Sequence, residues 1–172
     1  MFALNTLIQL MVEPRSVHWV TAKHVLRYLS GTVDFGLDYR RSEGIRLVGY
    51  TDSDWAGSVA DQKSTSGCCF SLGLAKVSWF IRKQKSITLS TAEAEYMTDS
   101  LASCEALWLR KLLVNLFGQE LRPTMIYCDN HSCIQLSENL VFHDRSKHIE
   151  IRYHFIRDYV QRGSDASVHF HR

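Results

Sequence analysis

The strongest constraint on the fold of this 172-residue chain is one long helix that follows three strand-like segments. The segment from Ser90 to Glu93 is a capping box, in which the serine hydroxyl and the glutamate carboxylate accept hydrogen bonds from backbone N–H groups at the start of a helix. Apolar residues then recur at helical spacing, and Gly118 can end the helix. The sequence therefore predicts a helix over Thr91–Phe117, with a buried face formed by Ala94, Met97, Leu101, Cys104, Trp108 and Leu112.

Strand patterns lie on both sides of this helix. Three precede it and are joined by short polar loops, which is typical of an antiparallel meander. Two more follow it, so the pattern predicts an α/β domain with a mixed sheet of about five strands, three antiparallel and then parallel, flanked by helices. The predicted strands cover residues 45–51, 65–72, 76–88, 124–128 and 166–171.

Helical patterns also occupy both ends of the chain. Residues 1–30 are predicted to be helical, with Ser16 as a cap and Gly31 as the end. Two further helices are predicted over residues 130–139 and 147–162. We therefore expect residues 1–44 to be an appendage and residues 45–172 to form the sheet domain.

Composition limits the class of protein. With 45% hydrophobic and 22% charged residues, the chain has enough apolar material for a folded core. No apolar run is long enough to span a bilayer and no signal peptide is evident, so no membrane partner is expected. Five cysteines without a CxxC pair indicate a reducing, intracellular compartment and a protein that is not secreted.

Three carboxylates stand out because of their positions. Asp52 and Asp129 each follow a predicted strand, and Glu95 lies in the first turns of the long helix. An isolated aspartate after a strand is usually a turn residue. Together, however, the three supply the oxygen ligands that two magnesium ions require for phosphodiester hydrolysis. The sequence therefore predicts a two-magnesium site formed by Asp52, Glu95 and Asp129.

Other acids near these positions allow alternatives. Asp54 shares a strand face with Asp52 and could assist it or replace it as a metal ligand. Glu93 is assigned to the capping box. Asp99 lies four residues after Glu95 on the same helical face, where it could support the metal ligands, but we favour a polar role at the surface or rim.

Positive charge is concentrated late in the chain, although the net charge is only +2. These residues are either nucleic-acid contacts or a solvated helix face. The histidines His143, His148 and His154 form no recognisable zinc pattern. Trp79, Trp108 and Tyr153 are predicted to be core residues. The candidate nucleic-acid contacts are Arg145, Lys147, His148 and Arg152.

Several uncommon sequence motifs occur in one order. They are GYTDSDWAG, STSGCCFSLG, VSWFIRKQKSITLSTAEAEY, EALWLRKLL, YCDNHSCIQLSEN and VFHDRSKHIEIRYHFIRD. In this order they resemble the ribonuclease H domain of copia-type LTR retrotransposon Pol polyproteins, over about residues 45–172. Residues 1–44, which contain VHWVTAKHVLRYLSGTVDFGLDY, are similar to the segment that joins the reverse transcriptase of that family to its ribonuclease H domain.

The resemblance implies a ribonuclease H fold and an endonuclease that cleaves the RNA strand of RNA–DNA hybrids during reverse transcription. It implies Asp52, Glu95 and Asp129 as catalytic metal ligands, and Asp54 matches a further acid of the family's motif. Two Mg²⁺ ions are the implied cofactor, for which Mn²⁺ can substitute. The implied partners are the hybrid and the reverse transcriptase region of the same polyprotein, in a cytoplasmic virus-like particle or the nucleus.

One departure concerns a fourth acid that enzymes of this fold usually take from a helix after the last strand. This chain stops at Arg172, so we expect a fragment of low activity. One rival interpretation is a catalytically silent remnant that only binds nucleic acid or a polymerase partner. A second is an integrase or transposase, but those place the glutamate after the second aspartate, whereas Glu95 precedes Asp129.

Overall fold

The computed structural model describes residues 2–40, 46–58, 61–118, 121–130 and 168–171. The chain divides into two compact units, Met1–Tyr39 and Arg40–Arg172. This division lies close to the one predicted after residue 44, but the assignment of the first unit to a reverse transcriptase stays a prediction. In the described ranges, no helix combines the length and the apolarity needed to cross a membrane.

The first unit contains two helices where the sequence predicted one. Helix α1 covers Phe2–Gln9 and is followed by a 3-10 turn over Leu10–Val12, and α2 covers Ser16–Gly31. The break falls at Pro14, since proline disfavours helical conformation in the residue before it. Arg15, not Ser16, is the N-cap of α2, and its backbone N–H donates to His18 Nδ1 at 3.1 Å.

The second unit is built on a mixed five-stranded sheet. The strands are β1 (Leu47–Asp54), β2 (Thr65–Leu72), β3 (Ala75–Lys83), β4 (Thr124–Tyr127) and β5 (Val168–His171), in the order β3-β2-β1-β4-β5. Strands β1 to β3 form an antiparallel meander, β4 pairs in parallel with β1, and β5 pairs in parallel with β4. The predicted fold class is therefore confirmed.

Helix α3 covers Thr91–Phe117, as the sequence predicted. The Ser90 hydroxyl accepts a hydrogen bond from the Glu93 backbone N–H at 3.2 Å. The Glu93 carboxylate accepts one from the backbone N–H of Leu89 at 2.8 Å. Gly118 ends the helix with a positive φ of 64°, a conformation that favours glycine.

The buried face of α3 differs from the predicted one in the second half of the helix. Trp108 is 57% exposed and Leu112 is 39% exposed, and Cys104 is also exposed. Small side chains allow the helix to approach the sheet closely, which leaves no room there for an indole ring. The core residues of this half are Ala102, Ala106, Leu109 and Leu113.

Two other sequence expectations change. Trp79 was predicted to be a core residue, but it is 46% exposed, because it pairs with Cys69 on the face of the sheet that points away from α3. Strand β3 was predicted to reach residue 88, but it ends at Lys83. Its pairing with β2 also ends at Lys83. Tyr153 and the predicted helices over residues 130–139 and 147–162 lie outside the described residues, apart from Asn130.

Close packing fixes the centre of the sheet. Phe70 and Ile126 are fully buried on either side of Gly49 in β1. A Cβ atom at Gly49 would lie 2.6 Å from Phe70 Cε1 and 3.1 Å from Ile126 Cγ1. A glycine in β1 therefore allows large apolar side chains from β2 and β4 to meet beneath α3.

Candidate active site

Strand β1 extends further than its parallel neighbour β4. The pairing of the two strands ends where Tyr50 faces Tyr127, whereas β1 continues as far as Asp54. Beyond Tyr50, the edge of β1 that faces β4 is therefore open to side chains from other elements. Asp52 lies in this extension and Asp129 lies two residues after β4, and both are exposed. Because the two strands are parallel, their C-terminal ends lie at the same end of the sheet, and so do the two acids.

Glu95 reaches this open edge from the first turns of α3. Its side chain is only 5% exposed, and its Oε1 atom accepts a hydrogen bond from the Ser53 backbone N–H at 3.1 Å. The carboxylate is thus held against the residue that follows Asp52. The second oxygen, Oε2, is buried and has no hydrogen-bond partner among the described residues. A buried acceptor in this state is costly unless another group binds it.

The electrostatic environment of Glu95 is strongly negative. Its pKa rises from the usual 4.5 to about 8, first because the carboxyl is buried and then because of the charges on Asp99, Asp129 and Asp52. The hydrogen bond from Ser53 acts in the opposite direction. A cation at this place would relieve the repulsion, and the oxygen donors with the unpartnered Oε2 suit a hard ion such as Mg²⁺.

Asp54 lies on the same exposed face of β1 as Asp52, as the strand period predicted. Its carboxylate lies directly over the backbone of Gly57, where a Cβ atom would collide with it. Asp54 is thus packed against the loop that follows β1. Its role as an additional or alternative ligand stays a prediction.

Asp99 is not the surface residue that the sequence suggested. It is only 3% exposed, and its Oδ1 accepts a hydrogen bond from the Thr51 hydroxyl at 2.7 Å. The same hydroxyl lies 3.2 Å from the carbonyl oxygen of Tyr127. Through Thr51, Asp99 therefore connects α3 to β1 and β4. It lies one helical turn after Glu95 on the same face of α3, as the spacing of four residues indicated.

Cys128 is a residue that the motif pattern missed, and its thiol is buried at the same place. One ligand atom from each of Glu95, Asp99 and Cys128 lies within 4.8 Å of the other two. The burial of Cys128 could have been predicted from the strand period. Thr124 and Ile126 are buried, and Cys128 follows them at the same spacing of two residues.

A polar network holds the start of α3 in place. The side-chain amide of Gln84, which is 4% exposed, donates to Ser66 Oγ and to the Ala94 carbonyl, both at 2.9 Å. The Trp55 indole N–H donates to the Thr88 carbonyl at 3.2 Å, so the loop after β1 is tied to the segment before α3. These contacts fix the position of Glu95 relative to β1.

The four predicted nucleic-acid contacts lie outside the described residues. They are Arg145, Lys147, His148 and Arg152. Their proposed role therefore stays a prediction.

Comparison with known proteins agrees with this architecture. No protein-family model matches the chain. It is 44% identical over 98% of its length to the retrovirus-related Pol polyprotein from transposon RE2 of Arabidopsis thaliana. It is 39% identical over 92% of its length to the corresponding polyprotein from transposon TNT 1-94 of Nicotiana tabacum. In both cases the chain spans about 12% of the relative's length.

The fold also has a counterpart among solved structures. A ribonuclease H1 isolated from compost superimposes with a TM-score of 0.52 at 12% sequence identity, covering 73% of this chain and 82% of that one. At this identity the similarity establishes the fold, which is the ribonuclease H fold. The sequence identity to the two polyproteins extends over nearly the whole chain, so the chain is related to one part of the retrovirus-related Pol polyproteins of copia-type transposons.

Proposed function

We propose that this chain is the ribonuclease H unit of a retrotransposon polyprotein and that it cleaves the RNA strand of RNA–DNA hybrids. The observation that carries the proposal is the Glu95 carboxylate. It is buried, it is held by Ser53, its Oε2 has no hydrogen-bond partner among the described residues, and the charges of Asp52 and Asp129 act on it. Buried carboxylates in such an arrangement are typical of a metal-dependent hydrolase.

Asp52, Glu95 and Asp129 would hold a pair of Mg²⁺ ions, with Asp54 as an additional ligand and with Mn²⁺ as a substitute. When bound, such ions activate water and neutralise charge that develops on a phosphodiester during hydrolysis. The protein's own contribution is positional. Ser53 fixes one oxygen of Glu95 and leaves the other for a ligand, while exposed Asp52 and Asp129 are accessible to a substrate from solvent.

The relatives support the setting of this reaction. They are Pol polyproteins, so the reverse transcriptase region of the same polyprotein is the proposed partner of the chain. Proteins that bind RNA-containing duplexes contact the 2′-hydroxyl, the phosphates and the groove. The proposed substrate is therefore defined by its sugar and shape, and a DNA duplex should bind without being cleaved.

The test is a hybrid cleavage assay with Mg²⁺ on the full chain and on Asp52→Asn. The amide keeps the shape of the side chain but loses the charge, so we expect the cleavage rate to fall roughly 100-fold or more. Asp34→Asn is the matched control, because Asp34 is an exposed aspartate in the other compact unit.

Two results would contradict the proposal. Equal cleavage by the wild type and Asp52→Asn would exclude Asp52 as an essential ligand and direct attention to Asp54. Efficient cleavage of duplex DNA in the same assay would favour the integrase-like alternative.

A further inference from the structure

A second group of ligand atoms lies below the proposed magnesium site. We name Glu95, Asp99 and Cys128 the buried cluster, because their exposed fractions are 5%, 3% and 1%. The ligand atoms that they offer all lie within 4.8 Å of one another. The cluster joins the helix α3 to the residue that directly follows β4.

The contacts of the cluster leave an opening for a ligand. Glu95 Oε1 is held by the Ser53 N–H, and Oε2 is buried without a hydrogen-bond partner among the described residues. Asp99 is oriented by the Thr51 hydroxyl through Oδ1. Cys128 is not in a disulfide, and its sulfur lies 4.0 Å from the Asn130 carbonyl oxygen. A hydrogen bond that orients a metal-binding carboxylate is a common feature of metal sites.

The donor set distinguishes this cluster from a magnesium site. Mg²⁺ selects oxygen ligands and retains several waters, whereas a thiolate favours softer cations. Zn²⁺ binds cysteine sulfur and carboxylate oxygen together. We propose that Glu95, Asp99 and Cys128 form a binding site for a borderline-soft divalent cation, Zn²⁺ in particular, in addition to the magnesium site proposed for Asp52, Glu95 and Asp129.

The spacing of the cluster is compatible with such an ion. In tetrahedral zinc coordination, sulfur and oxygen ligands lie roughly 3.6 Å apart, given Zn–S and Zn–O distances of about 2.3 and 2.1 Å. Ligand atoms within 4.8 Å of one another thus need a contraction of at most about 1.2 Å between sulfur and oxygen and about 1.4 Å between the two oxygens, which side-chain rotation can supply. Three protein ligands leave the fourth position to water. The thiol, and the Glu95 carboxyl where it is protonated, release their protons to solvent when the ion binds.

The test is a titration of the metal-free full chain with Co²⁺, which takes the place of Zn²⁺ and reports a bound thiolate by a near-ultraviolet charge-transfer band. We expect the wild type to develop this band at one equivalent and to lose it when Zn²⁺ displaces the cobalt. In Cys128→Ser the band should be absent. In Asp99→Asn, which keeps the thiol but removes one charged ligand, the cobalt affinity should fall roughly 10-fold or more.

Two control variants separate this site from other thiols and from the proposed catalytic acids. Cys68→Ser removes a buried thiol of the main hydrophobic core, and it should retain the band. Asp52→Asn should also retain it, because Asp52 belongs only to the proposed magnesium site. If the wild type shows no band, or if the band persists in Cys128→Ser, the proposal is overturned.

A second measurement keeps the proposal testable if Cys128→Ser does not fold. The ¹¹³Cd NMR shift of the wild type loaded with cadmium reports the number of sulfur ligands. One sulfur supports the buried cluster, while a shift typical of oxygen ligands alone refutes it.

A consequence for cleavage follows, and it rests on the proposed function. Because Glu95 would serve both sites, Zn²⁺ in the buried cluster should withdraw it from the magnesium site. Micromolar Zn²⁺ should then inhibit hybrid cleavage by the wild type more strongly than by Cys128→Ser. The cobalt band tests the metal site even if the chain cleaves no hybrid, so the two proposals can fail separately.

Discussion

Replacing Glu95 by glutamine should make the metal-free protein more stable at high pH than the wild type. Glutamine keeps the shape of the side chain and can still accept the Ser53 hydrogen bond. It removes a carboxyl whose pKa is raised to about 8 by burial and by the charges on Asp99, Asp129 and Asp52. The variant thus removes a group that prefers to be neutral in the folded protein.

The sign and size of the effect follow from the two pKa values. Below pH 4.5, Glu95 is protonated in both the folded and the unfolded chain, so its ionisation costs nothing. Between pH 4.5 and about 8 the unfolded chain releases the proton while the folded protein keeps it, so wild-type stability falls with rising pH. Above pH 8 the free energy of unfolding of the wild type is lowered by at most about 5 kcal/mol. The actual decrease is smaller, because solvent screens the charges on the exposed Asp52 and Asp129.

The measurement is the free energy of unfolding in urea, with a chelator present, at intervals from pH 5 to pH 8.5. The advantage of Glu95→Gln should grow by roughly 1 kcal/mol per pH unit over this range. Glu105→Gln is the control, since Glu105 is half-buried on the same helix but lies ten residues, roughly 15 Å, further along it. Stability curves of the wild type and Glu95→Gln that run parallel from pH 5 to pH 8.5 would refute the assigned environment of Glu95.

Two further substitutions test the packing that positions the site. Gly49→Ala should lower the free energy of unfolding by about 1–3 kcal/mol, because the added Cβ meets Phe70 and Ile126; an unchanged urea midpoint would contradict this packing. Ser90→Ala should cost about 1 kcal/mol through loss of the helix cap, with no loss of cleavage per folded molecule. Ser90→Thr, which keeps a capping hydroxyl, is the control and should stay close to the wild type.

The parts of the structure that local chemistry determines were predicted closely. The bounds of α3 were confirmed because Ser90 and Gly118 define its ends through contacts within a few residues. Strand β2 was also predicted over Thr65–Leu72. The order of elements then allowed a single mixed sheet to be predicted, with three antiparallel strands followed by parallel ones.

The parts that depend on distant partners were not predictable in this way. Asp99 has the spacing of an ordinary polar helix residue, and its burial depends on Thr51, which is 48 positions away in sequence. Similarly, the position of Trp108 in a helical pattern did not show that alanines would form the contact with the sheet. Periodicity predicts which residues share a face, but the size of the opposing side chains decides which face is buried.

The unequal lengths of β1 and β4 explain how a helix-borne carboxylate reaches acids on the sheet. Strand β1 has eight residues and β4 has four, so the N–H of Ser53 has no β4 residue opposite it. Glu95 takes that hydrogen-bonding position instead. If β4 continued in register past Tyr127, its backbone would pair with β1 and exclude the carboxylate from the edge. The early end of β4 is therefore what allows the Glu95 carboxylate to bind the backbone of β1 beside Asp52.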